Sequence, residues 1–130
     1  MQIKPDLLIQ TALILSSGNH GFLNLDGVIN AISSSVSLTW NENIDVSVAR
    51  QTAMKVGKLL FISFILSVNN TLQPNTILFS TGYNVVSPQD CVLYINGTAY
   101  PLIVFYDNVF TDTTIPSGNW ASANFCLALA

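Results

Sequence analysis

The chain has 130 residues, enough for one domain with a buried core, and is half hydrophobic with only 8% charged residues. Four cations against seven acids leave a net charge of −3, which excludes the electrostatic footprint of a nucleic-acid binder or of a module held to anionic membrane. Its polarity comes from Ser, Thr and Asn rather than from ions, so part of the apolar surface is expected to be covered by another subunit.

In chain order, Leu7–Leu15 (LLIQTALIL) reads equally as a strand or as a turn or two of helix, because its apolar spacing fits both periods. Pro5 and Asp6 precede it, Gln10 and Thr11 interrupt it, and SSGNHG follows without a small-x-small site, which argues against a signal peptide. Residues 16–21 are a loop by composition. Asp26 could cap a short helix over VINAI, ended by Ser33-Ser34-Ser35. Residues 1–43 thus read as an N-terminal arm or connector, and residues 44–130 as a β domain.

From Asp45 on, the pattern is β throughout. IDVSVARQTAMKV leads to a turn at Val56-Gly57-Lys58, and LLFISFILSV follows as the strongest strand. TILFS, CVLYI, TAYPLIVFY, VFTDTTI and NWASANFCLALA complete the set, separated by turn residues. Asn96-Gly97 between two apolar runs predicts a type I′ hairpin, and Asp107-Asn108 a further turn. Pro101 falls near the start of its strand, where a missing N–H is tolerable at an edge. Turns every 8–15 residues without a helical stretch predict an antiparallel β-sandwich or barrel.

The strand after Gly57 is apolar on both faces. Leu60, Ile62, Phe64, Leu66 and Val68 form one set; Leu59, Phe61, Ser63, Ile65 and Ser67 form the other. A half-exposed antiparallel strand alternates apolar with polar. One set therefore fills the core and the other needs a cover. Ile103 and Phe105 behave alike on TAYPLIVFY. These residues, Leu59, Phe61, Ile65, Ile103 and Phe105, are the expected oligomer contact, in a cyclic assembly. No run approaches the ~20 apolar residues of a membrane helix, so no membrane insertion is expected.

The order of elements carries a resemblance. Val56-Gly57-Lys58 opens a long apolar strand, a short strand runs into Gly82-Tyr83 (LFSTGY), a strand runs into an Asn-Gly hairpin, Asp107 starts a turn, and a Gly-containing turn precedes the last apolar strand. Over residues 45–130 this resembles the C-terminal head domains of bacteriophage tail-fibre and receptor-binding proteins. The resemblance implies a jelly-roll-like antiparallel β-sandwich, a homotrimer, binding to host cell-surface glycan, and a place in the virion after assembly in the bacterial cytoplasm. A purely structural trimerisation module of a fibre, or an extracellular bacterial carbohydrate-binding module, are the alternatives.

The residues offer little for catalysis, and the expectation is a non-enzyme without cofactor or metal. His20, the single histidine, lies in a Gly/Asn/Ser loop with no acid nearby. Cys91 and Cys126 have no cation beside them to form a thiolate; both read as buried free thiols, with a disulfide open only if their strands are neighbours. Glycan cleavage needs two acids flanking one bond. Glu42, Asp45, Asp90, Asp107 and Asp112 are the candidates, and turn or strand-start roles account for Asp45, Asp90 and Asp107. Sugar binding asks for a flat aromatic and a few polar groups. Trp120 with Asn119, Tyr83 in the long loop, and Asp112 are the candidates for it; Tyr100 is a further aromatic, and Trp40 reads as core or interface packing.

Overall fold

The computed structural model describes residues 33–130. Leu7–Leu15, His20 and the Asp26-capped segment lie outside the described residues. From Ser35 to Ala130 the chain forms one compact unit. Among the described residues every regular element is a strand: β1 (Ser33–Ser35), β2 (Thr39–Trp40), β3 (Val46–Val56), β4 (Leu59–Val68), β5 (Ile77–Ser80), β6 (Gln89–Ile95), β7 (Thr98–Phe105), β8 (Asn108–Thr111) and β9 (Gly118–Ala128). They make one nine-stranded sheet in the order β1-β3-β4-β9-β6-β7-β8-β5-β2. The pairs β3–β4, β4–β9, β6–β7, β7–β8 and β5–β8 are all antiparallel. The all-β antiparallel expectation holds.

The sheet is curled, so that its two flanks pack face to face. Phe64 on β4 and Phe79 on β5 are five places apart in the strand order, yet their ring centroids are 5.5 Å apart and nearly perpendicular. Trp40 on β2 joins both rings, at 5.3 Å from Phe64 and 4.6 Å from Phe79. Around this cluster the inward residues of β4, from Leu60 to Val68, are no more than 2% exposed, and Leu78, Leu102, Val104, Val109, Ile115 and Ala121 are fully buried. At ~25 cal/mol per Å² of apolar surface, fully burying one such aliphatic or aromatic side chain contributes about 1.5–3 kcal/mol.

Residues 33–43, read from the sequence as the end of a connector, belong to the sheet. Val36 N–H donates to Ala53 O on β3 (2.9 Å), while Thr39 and Trp40 pair with Ser80 and Phe79 on β5. Within these few residues the chain passes from one margin of the curled sheet to the other, as corner strands do in sandwiches. The side chains of Val36 and Leu38 pack on the core. Trp40 Nε1 donates to Gln51 Oε1 on β3 (2.7 Å), a second tie across the same seam. The connector reading failed because Ser-rich residues 33–37 carry no strand pattern; position between two open edges, not propensity, makes them β.

The turns follow residue chemistry. Asn96 and Gly97 both have positive φ (51° and 80°), as the predicted type I′ hairpin requires. Gly57 (φ 60°) takes the first position of the two-residue β3–β4 loop, where a type II′ turn demands glycine. The β7–β8 turn sits one residue earlier than predicted: Tyr106 and Asp107 form the loop and Asn108 already pairs with Phe105. Pro101 lies on a strand paired on both sides, but its C=O accepts from Asp112 N–H (3.1 Å), so its absent N–H faces the side where β8 has ended. The two cysteines are free and lie on opposite faces of the sheet. Cys91 is buried, and burial, then the charge of Asp90, pushes its thiol up to about 12. Cys126 is exposed, against expectation, because it stands opposite Phe61 on the outer face.

Gly118 is the one close approach. A Cβ there would stand 2.7 Å from Ile95 Cγ2, a methyl fixed on a branched, buried side chain. Gly118→Ala is expected to destabilise the domain by about 1–3 kcal/mol, the usual cost of overpacking. In urea unfolding, the added loss should shrink in an Ile95→Ala background; simple additivity of the two losses would show that the contact is not the cause.

Candidate functional site

The site is built by two bulges that face each other across β4. On β3, Val48 pairs with Leu66 and Arg50 with Ile65, leaving Ala49 as an extra residue. On β9, Ala121 pairs with Leu66 and Gly118 with Val68, so Asn119 and Trp120 together oppose Ser67. A bulge places two consecutive side chains on one face and re-aims them. Ala49-Arg50 and Asn119-Trp120 are such pairs, and all four residues are exposed. Ala49, Arg50, Ile65 and Trp120 line a groove of about 260 Å³ on the outer face.

Trp120 is the most exposed large apolar side chain among the described residues, at 74%. Its backbone is left-handed, with φ at 61°. A bulky residue in this region costs of order 1–3 kcal/mol and persists only where the surroundings impose it. Trp120 thus combines a strained backbone with an indole turned to solvent, the opposite of what core packing requires. The indole offers a flat apolar face and one N–H donor. Across Ile65, Arg50 offers five donors in a planar fork.

The structure separates the other predicted ligand residues. Asn119 shares the β9 bulge with Trp120. Tyr83 does not join them. It lines a second cleft of about 300 Å³ with Lys55, Lys58, Gly82, Asn84, Leu129 and Ala130, beside the β3–β4 hairpin. From Trp120 to Ala128 β9 runs eight residues, on the order of 25 Å at ~3.4 Å per residue, so one small ligand cannot touch both aromatics. Tyr83 is partnered already, since Lys55 Nζ lies 5.6 Å from its ring centroid. Asp112 follows β8 and is not among the residues that line the Trp120 groove.

A third cleft, about 360 Å³, lies at the β4–β5 connection and is lined by Asn43, Ile44, Asp45, Asn70, Thr71, Leu72, Gln73 and Thr76. Its carboxylate is committed: Asp45 Oδ1 accepts from Asn69 Nδ2 (3.0 Å) and Oδ2 from Asn70 Nδ2 (2.6 Å). Asp107 likewise accepts from Ser80 Oγ (2.9 Å). Both acids hold loops together, as their turn positions in the sequence suggested.

The predicted contact residues divide. Leu59 and Phe61, each 45% exposed, form an apolar patch with Val56 and Met54 on β3 and Ala128 and Cys126 on β9, their partners in register. A polar row, Thr52–Ser63–Asn124, bounds this patch. Ile65 lies beyond that row and floors the Trp120 groove. Ile103 and Phe105 are on β7, three strands away from β4. Sequence reasoning missed Met54 and Arg50. Met54 could have been found, because Thr52, Met54 and Val56 alternate on one face; Arg50 could not, because the bulge at Ala49 breaks the alternation.

No family model, curated protein or solved structure matches the chain. The geometry of the groove therefore carries the functional argument.

Tyr106, in the β7–β8 loop, is the other aromatic with left-handed backbone (φ 55°). Asn tolerates this conformation far better than an aromatic. Trp120→Asn and Tyr106→Asn are each expected to raise stability by about 1 kcal/mol. Thermal unfolding of both variants checks this; a lowered Tm for Trp120→Asn would show that its indole is held by packing rather than displayed.

Proposed function

We propose that this chain is the head domain of a bacteriophage tail fibre or baseplate protein, which associates as a homotrimer and binds host cell-surface glycan without cleaving it. The observation that carries the reading is Trp120, an exposed and backbone-strained indole on the β9 bulge, across β4 from the β3 bulge. Sugar rings present an axial C–H face that stacks on such an indole, while their hydroxyls take hydrogen bonds from surrounding polar groups. Here Arg50 lines the groove with the indole, and Asn119 adjoins it on the β9 bulge. The element order in residues 45–130 supports the phage origin, and the virion is then the place of action.

Self-association is supported by the patch around Phe61. Met54, Val56, Leu59, Phe61, Cys126 and Ala128 are neighbours in register on the outer face, with no charged group among them. Monomeric proteins rarely leave such a patch uncovered, and rims of polar residues mark interaction sites. Three groove copies on one head then act together through effective concentration, so weak single-site affinity is sufficient. The alternative, a trimerisation module without a ligand, would use the same patch and leave Trp120 unexplained.

Two measurements test the proposal separately. Light scattering coupled to size exclusion is expected to give three times the chain mass, and Phe61→Asp to give one chain mass with the fold retained; a monomeric parent protein would sink the trimer. Cys126, opposite Phe61, should be shielded from a thiol reagent in the trimer and react in Phe61→Asp, while the buried Cys91 stays unreactive in both until unfolding. On a glycan array the parent is expected to bind and Trp120→Asn to lose binding. Unchanged binding in the variant would remove the groove from the glycan site.

A further inference from the structure

We infer that the Trp120 groove takes a saccharide bearing a negative charge, a carboxylate or a phosphate, held by the Arg50 guanidinium while its ring stacks on the indole. The inference rests on the glycan reading above and names the class of glycan.

Arg50 is where a bulge puts it. Without the extra residue Ala49, the alternation that buries Val46 and Val48 against the core would continue to position 50 and turn that side chain inward. The bulge instead turns Arg50 outward beside Ile65, on the same face as Trp120. Among the described residues Arg50 forms no ion pair and no side-chain hydrogen bond, and no carboxylate lines the groove. The five acids of the described part are elsewhere: Asp45 and Asp107 are engaged as described, Asp112 follows β8, Asp90 is on β6, and Glu42 precedes β3.

A guanidinium fork matches the planar geometry of a carboxylate and grips phosphate oxygens equally well. A neutral sugar uses only one or two of its donors and leaves its charge uncompensated. The chain as a whole carries net charge −3, so the positive charge here is local to the groove and not part of a basic surface. The groove, at about 260 Å³, is smaller than the ~300–1,000 Å³ of sites for drug-sized ligands. That size suits one charged ring, with the rest of the chain running into solvent. The indole and the guanidinium flank Ile65 from opposite sides, so a ring resting on Trp120 directs a ring substituent toward Arg50.

The test uses three probes with one ring and different groups at C6: methyl glucoside, glucuronic acid and glucose 6-phosphate. Binding to the full chain is followed by saturation-transfer NMR and titration. An acidic probe is expected to bind at least about tenfold tighter than methyl glucoside, the effect of one hydrogen bond to a charged group. A preference for glucuronic acid points to an acidic sugar as the natural ligand, and one for glucose 6-phosphate to a phosphorylated one. Arg50→Gln should erase the preference, so that the variant binds all three probes alike. Arg50→Lys should restore it for phosphate better than for carboxylate, because lysine keeps the charge but loses the fork. Trp120→Asn should remove all three signals. Equal binding of the three probes, lost in Trp120→Asn but indifferent to Arg50→Gln, would overturn the charge inference and leave the glycan reading standing. Absence of binding by every probe, or binding indifferent to Trp120, would overturn both.

Discussion

The contact of Trp40, Phe64 and Phe79 is the constraint on which the rest of the structure depends. These rings come from β2, β4 and β5, and β4 and β5 are otherwise joined only through four intervening strands. Edge-to-face packing at 5.3 and 5.5 Å fixes the separation of the two flanks and hence the curl of the sheet. Phe125 adds a fourth ring, 6.3 Å from Phe64 and perpendicular to it. Trp40 has the further role of binding Gln51 across the seam. With the inner face of β4 committed to this cluster, its outer face is obliged to present Leu59, Phe61 and Ile65 to whatever lies outside.

Curl also explains why the bulges sit where they do. A strand that bends around a core accumulates twist, and an extra residue relieves it locally. β3 and β9 flank β4 and both slip by one residue near its Leu66–Val68 end. The slip keeps Val46 and Val48 packed on the core below the bulge and Ala53 in it above. What the fold gains is a continuous core on a bent strand. What it exposes is a pair of neighbouring side chains on each side of Ile65, and in this sequence those pairs include the one arginine and one of the two tryptophans. The backbone strain at Trp120 marks the position as one where shape was retained against local preference.

Much of this was legible in the sequence, for identifiable reasons. The strands were readable because period-2 alternation and turn residues are local signals. The β4 faces were assigned correctly from alternation alone, and Asn96-Gly97 specified its hairpin. Three things were not local. The role of residues 33–43 depends on two sheet edges that only the folded chain brings near one another. The distance between Tyr83 and Trp120 depends on strand order, and both lie near turns with nothing in the sequence to say that the turns are at opposite ends. The placement of Arg50 depends on a bulge, which shifts parity by one and hides an outward residue among inward ones. Cys126 was misread for a related reason: its apolar neighbours Phe125 and Leu127 are inward, and alternation alone places it outward.

In the assembly proposed above, the outer face of β4 serves two opposed demands, and its polar row reconciles them. Phe61 and its neighbours are stabilised by losing contact with water, whereas a ligand groove has to stay open to it. Thr52, Ser63 and Asn124 lie in register between the two, and each carries a group that would lose hydrogen bonds to water if a flat apolar surface were pressed on it. Desolvating these groups without partners costs more than the small adjacent area returns, so a copy seated on the patch is favoured to stop at this row. From Leu59 to Ile65 is six residues, about 20 Å at ~3.4 Å per residue, enough to keep a subunit contact near the hairpin clear of the groove beyond. On the proposed reading, Ser63, the one residue that interrupts the apolar run from Leu59 to Leu66, sits where the covered surface ends and the open one begins.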